Sequence, residues 1–366
     1  MKVLKSISWF LYRILAVYSI LVMILIYLAV SSHWIAGFMM MSFPVVIIAN
    51  LIFLVLFLLI DRKRAFGPVL IIAISLLFLP RTYGFADKTA VGMGNSKSFK
   101  IMDYNVHEFN AYASQKSDDL SENGETGNMV NWITNADADI LCMAEYRTAK
   151  NFPNLKVNST LLNKGYKFSR FLENEKSGSH NNYRGMALFS KYPIIGSKQK
   201  SFAYLNGMLQ ADIKINGDTV RVISVHLYSM TLQLSKLVGQ RKANGVKKEG
   251  RIVFSRIKNG FVGHAMEFEE LEAWIKSSPY PVIVCGDFNE TPYGYVYGKT
   301  RDMLTNAFEE KGRGFGFTYN HLPYFIRIDH QFYDSKKLDL LHFETIDSVK
   351  YSDHYPLIGT YQIKAK

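Results

Sequence analysis

The stretch Val282-Ile-Val-Cys-Gly-Asp-Phe-Asn-Glu-Thr-Pro292 places polar side chains directly after a short apolar run. Its first four residues, all apolar, indicate a strand that is buried on both faces. Gly286 lets the backbone turn, so Asp287 and Asn289 are expected at the strand's carboxyl end, where open α/β sheets place their ligands. A lone Asp-x-Asn also occurs in ordinary turns, so a functional site is indicated only if other segments repeat the arrangement.

Four more segments follow the same rule of an apolar strand bordered by polar residues. They are residues 100–107 with Asn105, 139–146 with Glu145, 220–227 with His226, and 351–356 with Asp353 and His354 before a further apolar run. Functional side chains on the ends of separate strands of a rigid scaffold are typical of a catalytic site. The sequence therefore predicts that these side chains lie together.

At these residues the chain resembles the endonuclease/exonuclease/phosphatase superfamily, which includes DNase I, apurinic endonucleases, neutral sphingomyelinases and inositol polyphosphate 5-phosphatases. The resemblance covers residues 98–362. It rests on Gly286-Asp-Phe-Asn289 and Ser352-Asp-His354, supported in the same chain order by Tyr104-Asn105, Glu145, residues 184–193 and Arg327-Ile-Asp-His330. One departure is Ala144, because the family usually has Gln before its metal-binding Glu. This change removes a hydrogen bond behind the metal and leaves the ligand itself in place.

The resemblance implies an α/β fold, a four-layer α/β/β/α sandwich of the DNase I type with two mixed sheets packed together. Residues 98–366 are assigned to this catalytic domain, a length that suits one large core. Residues 84–97 contain three glycines and little periodicity, so they are expected to form a linker. Residues 232–263, where eight lysines and arginines gather, are expected to form a surface excursion.

The ligand types point to a hard divalent metal. Oxygen ligands from Asn105 and Glu145 suit Mg²⁺, with Mn²⁺ as a substitute, better than zinc. Asp353 completes or supports this site. The resemblance implies that Asp287 positions the attacking water and that Asn289 hydrogen-bonds the phosphoryl group.

The histidines have proton-transfer and charge roles under the same resemblance. His354 is expected to act as the base or as an electrostatic partner of the pentacovalent state, oriented by Asp329. His226 is similar to a second histidine of the DNase I and sphingomyelinase branches, which donates a proton or contacts the phosphate. A satisfied core histidine is the alternative for His226, while His107 and His330 are left outside the catalytic set.

Two further features bear on substrate binding. Tyr183 and Arg184 lie close to where family members contact the substrate phosphate, and a guanidinium can bind phosphate through two bonds; an ordinary surface arginine is the alternative. Glycines and aromatic residues in segment 312–319 either line the mouth of the pocket or form a tight turn with core aromatics.

The first 83 residues indicate a membrane anchor. Apolar runs at about 7–30, 34–60 and 66–80 are candidate transmembrane helices, although the third is short enough for a buried or tilted helix to compete. A cleaved signal peptide is not expected, since its apolar region would be shorter and would stand alone. Transport through these helices finds little support, because Arg13 is their only internal ionisable residue.

The positive charges predict the orientation of the anchor. Lys2 and Lys5 precede the first span and Arg62-Lys63-Arg64 separates the second from the third, so both basic clusters are expected in the cytoplasm. With three spans, the catalytic domain lies outside the cytoplasm of an inner or plasma membrane. If the third segment does not span, the domain is cytoplasmic instead.

The sequence therefore predicts a membrane-anchored, divalent-metal-dependent phosphoesterase whose substrate is a lipid headgroup or a nucleic acid, with no obligate protein partner evident. One alternative is an extracytoplasmic nuclease of the DNase I type, suggested by His226 and the basic excursion. The other is a catalytically silent binding module, suggested by Ala144 alone. Cys142 and Cys285 fall inside buried strands and are interpreted as core thiols, with a disulfide as the alternative.

Overall fold

The computed structural model describes residues 2–30, 33–86, 98–111, 124–150, 155–173, 178–179, 182–203, 205–230 and 243–365. Two mixed β-sheets lie face to face in this part of the chain, and helices cover their outer faces. The predicted four-layer α/β/β/α sandwich is thus confirmed. A helical region, residues 2–82, precedes it.

The strands are short and follow one another closely in the chain. Numbered in order, they are β1 Gly84–Phe85, β2 Ser98–Asn105, β3 Ile140–Ala149, β4 Phe168–Phe171, β5 Gly178–Ser179, β6 Asn182–Ser190, β7 Ile194–Ala203, β8 Asn206–Ile215, β9 Asp218–His226, β10 Val282–Asp287, β11 Thr305–Asn306, β12 Arg313–Gly314, β13 Asp329–Tyr333, β14 Leu338–Thr345 and β15 Leu357–Ile363. One sheet has the order β14-β15-β2-β3-β6-β4, with β5 beside β6, and the other has the order β11-β13-β10-β9-β8-β7.

Each sheet contains one parallel pair, β2 with β3 in the first sheet and β9 with β10 in the second. The remaining pairs in both sheets are antiparallel. Because the carboxyl ends of parallel strands lie at the same edge, each sheet presents two adjacent strand ends there. Three of these ends, those of β2, β9 and β10, carry residues of the candidate site.

Side-chain alternation explains why the central strands are apolar on both faces. In β2, Ile101 packs between the sheets while Met102 packs under the helices. In β10, Cys285 packs between the sheets and Val284 packs under the helices of the opposite layer. Cys142 lies in the same core between the sheets, and both cysteines are free thiols in agreement with the core interpretation.

Helices Glu125–Asn135 and Val157–Asn163 cover the first sheet, and helices Ala243–Lys276 and Tyr295–Met303 cover the second. The expectation of a surface excursion over 232–263 was wrong from residue 243 onward, because this part belongs to a helix of 34 residues. Ile257 and Phe261, spaced four apart, extend its apolar face and pack against the N-terminal region. Residues 231–242 lie outside the described chain.

The N-terminal region consists of helices Lys2–Leu28, Trp34–Met41, Phe43–Ile60, Phe66–Ser75 and Leu79–Thr82, with 3₁₀ turns at Arg62–Ala65 and Leu76–Phe78. Three stretches are long and apolar enough to cross a membrane, namely Lys5–Leu28, Phe43–Ile60 and Arg62–Thr82. The third is longer than the predicted span 66–80, which brings it to a length that suits a bilayer.

The predicted span 34–60 divides into two helices. Proline in the first turn suits a helix start because it lacks the N–H that would be unpaired there, and Pro44 occupies this place in helix Phe43–Ile60. The preceding helix, Trp34–Met41, turns aside and packs against the long helix of the catalytic domain. There Phe38 stacks on Phe254 with ring centres 5.0 Å apart.

The two ends of the helical region differ. At one end Arg64 donates a hydrogen bond to the Lys5 carbonyl, so the two basic segments lie together. At the other end Tyr293 of the catalytic domain contacts Phe43 at 4.7 Å between ring centres, and its hydroxyl forms a hydrogen bond with that of Thr82 at 2.9 Å.

The predicted linker 84–97 begins as β1, which pairs with β12, while residues 87–97 lie outside the described chain.

His330 lies in the core beneath the site, which agrees with leaving it out of the catalytic set. Its ring packs against Phe288, Tyr297 and Phe332, and its Nε2 donates to the Glu290 carbonyl at 2.9 Å. Burial, with a smaller effect from Arg327, lowers the pKa of His330 to about 3. The side chain is therefore neutral in the folded protein.

We expect the substitution His330→Phe to reduce the loss of unfolding free energy that occurs when the pH falls from 7.5 to 5. The wild-type unfolded chain takes up a proton near the ordinary histidine pKa while the folded chain does not, so falling pH favours unfolding by about 2 kcal/mol at pH 5. The variant loses one hydrogen bond at pH 7.5, about 1 kcal/mol, yet escapes this acid penalty. Thermal unfolding of both proteins in detergent at pH 7.5 and pH 5 measures their stability difference at each pH. If the stability difference between wild type and variant were the same at both pH values, the buried neutral state of His330 would be contradicted.

Candidate active site

Polar residues from both sheets meet where the two parallel pairs end. Asn105 ends β2 and Glu145 lies in β3, while His226 ends β9 and Asp287 ends β10. Asn105 Nδ2 donates to Asp287 Oδ2 at 3.1 Å, which joins the two sheets directly. The predicted residues Asn105, Glu145, Asp287, Asn289, Asp353 and His354 line one cleft.

The backbone is bent to aim two of these side chains. The pairing of β3 with β6 shifts between Met143 and Tyr146, and Glu145 has a φ of 50° within this irregularity. Such bulges re-aim a side chain and occur beside active sites. Asn289 also has a φ of 50°. Left-handed backbone at residues other than glycine costs free energy and clusters at functional sites.

Asp287 occupies the centre of the constellation. It is only 2% exposed, and its Oδ1 accepts a hydrogen bond from the Asn289 N–H at 2.8 Å. The Nε2 atoms of His226 and His354 each lie 3.8 Å from its Oδ2. These separations exceed hydrogen-bond length, so both imidazoles face Asp287 without forming a hydrogen bond to it.

His354 is held by Asp329, as the resemblance implied. Its Nδ1 lies 2.8 Å from Asp329 Oδ2, so Nδ1–H donates and Nε2 points toward Asp287. Burial would lower the pKa of His354, but the carboxylates of Asp329 and Asp287 together raise it well above its usual value. This geometry and charge favour a protonated imidazole that stabilises negative charge over a free base.

His226 is buried with one nitrogen unsatisfied. Its Nδ1 lies 3.2 Å from the Leu205 carbonyl, whereas its buried Nε2 has no hydrogen-bond partner among the described residues. That Nε2 lies 3.9 Å from Glu145 Oε1. His330 in the core also has one buried unbonded nitrogen, Nδ1, but the Nε2 of His226 faces the carboxylates of Glu145 and Asp287, and this position favours a nitrogen that awaits a ligand.

The donors that surround the cleft fit a hard divalent cation. Asn105, Glu145 and Asp353 supply oxygen atoms, which Mg²⁺ prefers. A tighter group, formed by Asp287, Asp329 and His354, has one ligand atom of each within 4.8 Å of the others. Because Asp329 and His354 are already bonded to each other within that group, we interpret it as an ion pair beside Asp287 and retain the oxygen-donor set for the metal.

The two predicted substrate contacts have different surroundings. Tyr183 is buried in the core, where its hydroxyl donates toward the Leu172 and Met186 carbonyls, so the expectation that it faces substrate does not fit the structure. The physical reason is that Tyr183 lies on the face of β6 that packs under the helices. Arg184 pairs with Glu108, which lies beside the cleft residue His107. The substrate role of Arg184 stays a prediction.

Sequence reasoning missed the residues that support the site from behind. Ser352 Oγ donates to the Asn105 carbonyl at 2.7 Å, and Thr318 Oγ1 accepts the backbone N–H of Asp329 at 3.1 Å. Glu290, buried at the cleft, accepts from His264 Nδ1 at 2.9 Å. Ser352 and Glu290 stand inside the quoted motifs, whereas Thr318 and His264 have no local sequence signal.

The segment 312–319 lines the cleft, so the first of the two alternatives for it is correct. Phe315, Phe317 and Tyr319 contribute to the wall. Tyr319 also packs its ring 5.2 Å from that of His354, at 72°. Aromatic side chains therefore border His354.

Comparison with known proteins assigns the chain to a family. The model of the Endonuclease/Exonuclease/phosphatase family matches residues 104–354, and the chain belongs to this family. Residues 4–82 match a domain of unknown function (DUF8431). No functionally curated protein matches the sequence.

Solved structures are similar to this chain at low sequence identity. The human Nocturnin catalytic domain is 17% identical with a TM-score of 0.52, over 73% of this chain and 94% of that one. Family proteins from Beutenbergia cavernae and Bacteroides thetaiotaomicron are each 14% identical with TM-scores of 0.49. The match with the Beutenbergia protein covers 74% of this chain and 72% of that one, and the match with the Bacteroides protein covers 72% of this chain and 94% of that one. The family consists of hydrolases of phosphoester bonds, and the chain is one of these enzymes.

We expect Gly286→Ala to destabilise the protein by about 3 kcal/mol or more, because two penalties combine. Gly286 has a φ of +132°, and a Cβ there would lie 2.2 Å from the Val225 carbonyl oxygen. Gly217→Ala is the matched control, since Gly217 has a φ of +99° with nothing within 4 Å; its expected cost is about 1 kcal/mol. Thermal unfolding measures both, and equal effects would contradict the close approach.

Proposed function

We propose that this protein is a membrane-anchored, divalent-metal-dependent phosphoesterase. The observation that carries the proposal is the group around Asp287, where two imidazole Nε2 atoms face one buried carboxylate at 3.8 Å. Hydrolysis of a phosphate ester needs an aligned water, neutralisation of the anionic phosphate and a proton for the leaving group. The cleft supplies a residue for each task.

The metal would be held by Asn105, Glu145 and Asp353. Its fit is supported by the chemistry of the donor set, since oxygen atoms of these three residues line the cleft. Mg²⁺ suits such ligands, and Mn²⁺ is a substitute. When bound, it would act as a Lewis acid that neutralises charge on the phosphate and the leaving oxygen.

Asp287 is the residue that aligns the water. Its Oδ1 is occupied by the Asn289 N–H and its Oδ2 accepts from Asn105, so the carboxylate is fixed in orientation. The water oxygen forms a bond to phosphorus and gives its proton to Asp287 as the bond to the leaving oxygen breaks. The protonated His354, oriented by Asp329, stabilises the negative charge of the phosphoryl oxygens.

The leaving group takes its proton from a histidine. His226 directs an unbonded Nε2 toward Asp287, and its Nδ1 is anchored on the Leu205 carbonyl. For this step His226 carries hydrogen on both ring nitrogens: Nδ1–H stays on the Leu205 carbonyl and Nε2–H is given to the leaving oxygen, which yields the free alcohol or phosphate product. The proton that Asp287 took from the water then passes to Nε2 of His226, which faces it, so both residues return to their starting state. This arrangement supports the in-line displacement implied by the family.

Two other functions were considered. An extracytoplasmic nuclease of the DNase I type uses the same chemistry, and the geometry of His226 supports it equally. A silent binding module is disfavoured, because clustered buried carboxylates and an unbonded imidazole nitrogen cost free energy that a non-catalytic site has no reason to retain.

The proposed anchor has three spans with the catalytic domain outside the cytoplasm. Lys5 and Arg64 lie at one end of the helices and the domain docks on the other end. Because positive residues favour the cytoplasmic side, this arrangement supports an extracytoplasmic domain on an inner or plasma membrane.

The first test is hydrolysis of phosphoesters by the full-length protein in detergent, with Mg²⁺ or with EDTA. We expect activity only with metal, and Asp287→Asn should lower kcat by between about a hundredfold and ten-thousandfold because the water loses its proton acceptor. Glu145→Gln should raise the Mg²⁺ concentration needed by at least about tenfold, by analogy with the loss of a metal-supporting group.

Asp339→Asn is the control for removal of a carboxylate, since Asp339 is 51% exposed and pairs only with Lys364 among the described contacts. It should leave kcat and the metal requirement unchanged. Hydrolysis that persists in EDTA or in the Asp287 variant would contradict the proposal.

Sidedness is tested by labelling single introduced cysteines with a membrane-impermeant maleimide in sealed right-side-out vesicles. The native Cys142 and Cys285 are buried and provide a low background. We expect Lys276→Cys, on the catalytic domain, to react in intact vesicles and Lys63→Cys to react only after permeabilisation. The reverse pattern would place the domain in the cytoplasm.

A further inference from the structure

The cleft that holds the catalytic residues is also lined by the N-terminal helices. It has a volume of about 540 Å³, and its lining includes Gly37, Met41 and Pro44 together with Asp287 and His354. A cleft that served only soluble phosphoesters would need no wall from the anchor. The shared lining therefore points to a substrate part that reaches the anchor.

A row of aromatic rings leads from the anchor into this cleft. Tyr83 follows the last N-terminal helix, and its ring lies 5.2 Å from that of Phe315. Phe315 stacks on Phe317 at 5.2 Å, and Phe317 lies 5.8 Å from Phe325. We name Tyr83, Phe315, Phe317 and Phe325 the aromatic row.

The aromatic row carries exposed apolar surface beside the proposed bilayer. Phe315 is 51% exposed and Phe325 is 75% exposed. Exposed apolar patches on proteins mark interaction sites, and aromatic side chains are enriched at membrane interfaces. Because Tyr83 directly follows helix Leu79–Thr82, the row is placed where the proposed span leaves the membrane.

The wall from the anchor is firmly docked. A Cβ on Gly37 would lie 2.4 Å from the Phe261 ring, so helix Trp34–Met41 approaches the long helix as closely as glycine permits. Lys258 lies over the Trp34 ring at 5.2 Å, and Thr82 bonds to Tyr293. These contacts make the cleft a built feature of one packed unit.

We propose that the substrate is a phosphoester of a membrane lipid. Its hydrocarbon chain would lie against Met41, Pro44 and the aromatic row while its phosphate reaches Asp287. This inference rests on the proposed phosphoesterase function and adds the class of substrate to it. The chemical step is unchanged: water adds to phosphorus, and the ester oxygen leaves with a proton.

The described lining favours a lipid over a nucleic acid. A nucleic acid groove follows the phosphate backbone with positive side chains. Arg81 and Arg327 are the lysine or arginine residues of the described lining, and both are buried and donate to backbone carbonyls. Aromatic rings also stack on bases, so nucleic acid cleavage is included as an outcome of the test.

The test uses a graded series of p-nitrophenyl alkyl phosphates, from methyl to octyl, with the full-length protein in detergent and Mg²⁺. A parallel series of alkyl monophosphates, followed by phosphate release, covers monoesterase activity. All substrates are used below their micelle concentrations. Because each fully buried methylene favours binding by about fourfold, we expect kcat/KM to rise by at least about tenfold from methyl to octyl even with partial burial.

The variants locate the chain-binding wall. The double substitution Phe315→Ala with Phe325→Ala should reduce the octyl-to-methyl ratio of kcat/KM by at least about fivefold, since it removes apolar contact area. Met41→Gln should reduce the same ratio through the wall of the anchor. Leu162→Ala is the matched control, an exposed apolar residue outside the cleft, and it should keep the wild-type ratio.

The outcomes separate the two proposals. A flat dependence on chain length, with the methyl ester still hydrolysed, would overturn the lipid inference and leave the phosphoesterase function standing. Preferred cleavage of a single-stranded oligonucleotide that depends on Phe315 and Phe325 would overturn it in favour of a nuclease. Absence of hydrolysis in both series and of the oligonucleotide, with Mg²⁺ present, would reject the phosphoesterase function and the lipid inference with it.

Discussion

The fixed, buried carboxylate of Asp287 is the constraint on which the rest of the site depends. A carboxylate removed from water is stable only when hydrogen bonds and positive charge compensate for lost hydration. Asn105 donates from the opposite sheet at 3.1 Å and Asn289 donates from the following turn at 2.8 Å. The relative placement of the two sheets at this edge is therefore tied to a single anionic group.

The same constraint explains the backbone around it. Gly286 lies so close to the Val225 carbonyl that no side chain fits, and its φ of +132° is open only to glycine. The left-handed Asn289 returns its N–H to Asp287. Local strain at these positions is compensated by the packed core behind them, where Cys285 and its neighbours fill the space between the sheets.

Much of this arrangement could be predicted from the sequence, because it is carried by local patterns. The apolar run before Asp287 and the polar residues Asn105, Glu145 and His226 follow from the strand patterns, and the structure brings these side chains together. The four-layer sandwich was implied by the family resemblance and is confirmed. The predicted substrate contact of Tyr183 does not fit the structure, because no local sequence pattern around Tyr183 and Gly185 shows which face of the sheet the tyrosine occupies. The predicted second span was too long because helix Trp34–Met41 is also strongly apolar and carries no charge. Its tertiary contacts with Phe254 and Phe261 show that it packs on the surface of the catalytic domain.

Two buried arginines show why the N-terminal helices and the catalytic domain form one unit. Arg81, in the last N-terminal helix, donates to the Pro292 carbonyl, directly after the Asp287 motif. Arg327 donates to the carbonyls of Phe315 and Arg81. Neither guanidinium has a carboxylate within salt-bridge distance among the described residues, so both obtain their compensation from backbone oxygens of three segments that must stay in place. A domain attached only by a flexible linker would gain nothing from this arrangement. The cleft is therefore held at one orientation to the helices, and with it to the proposed bilayer.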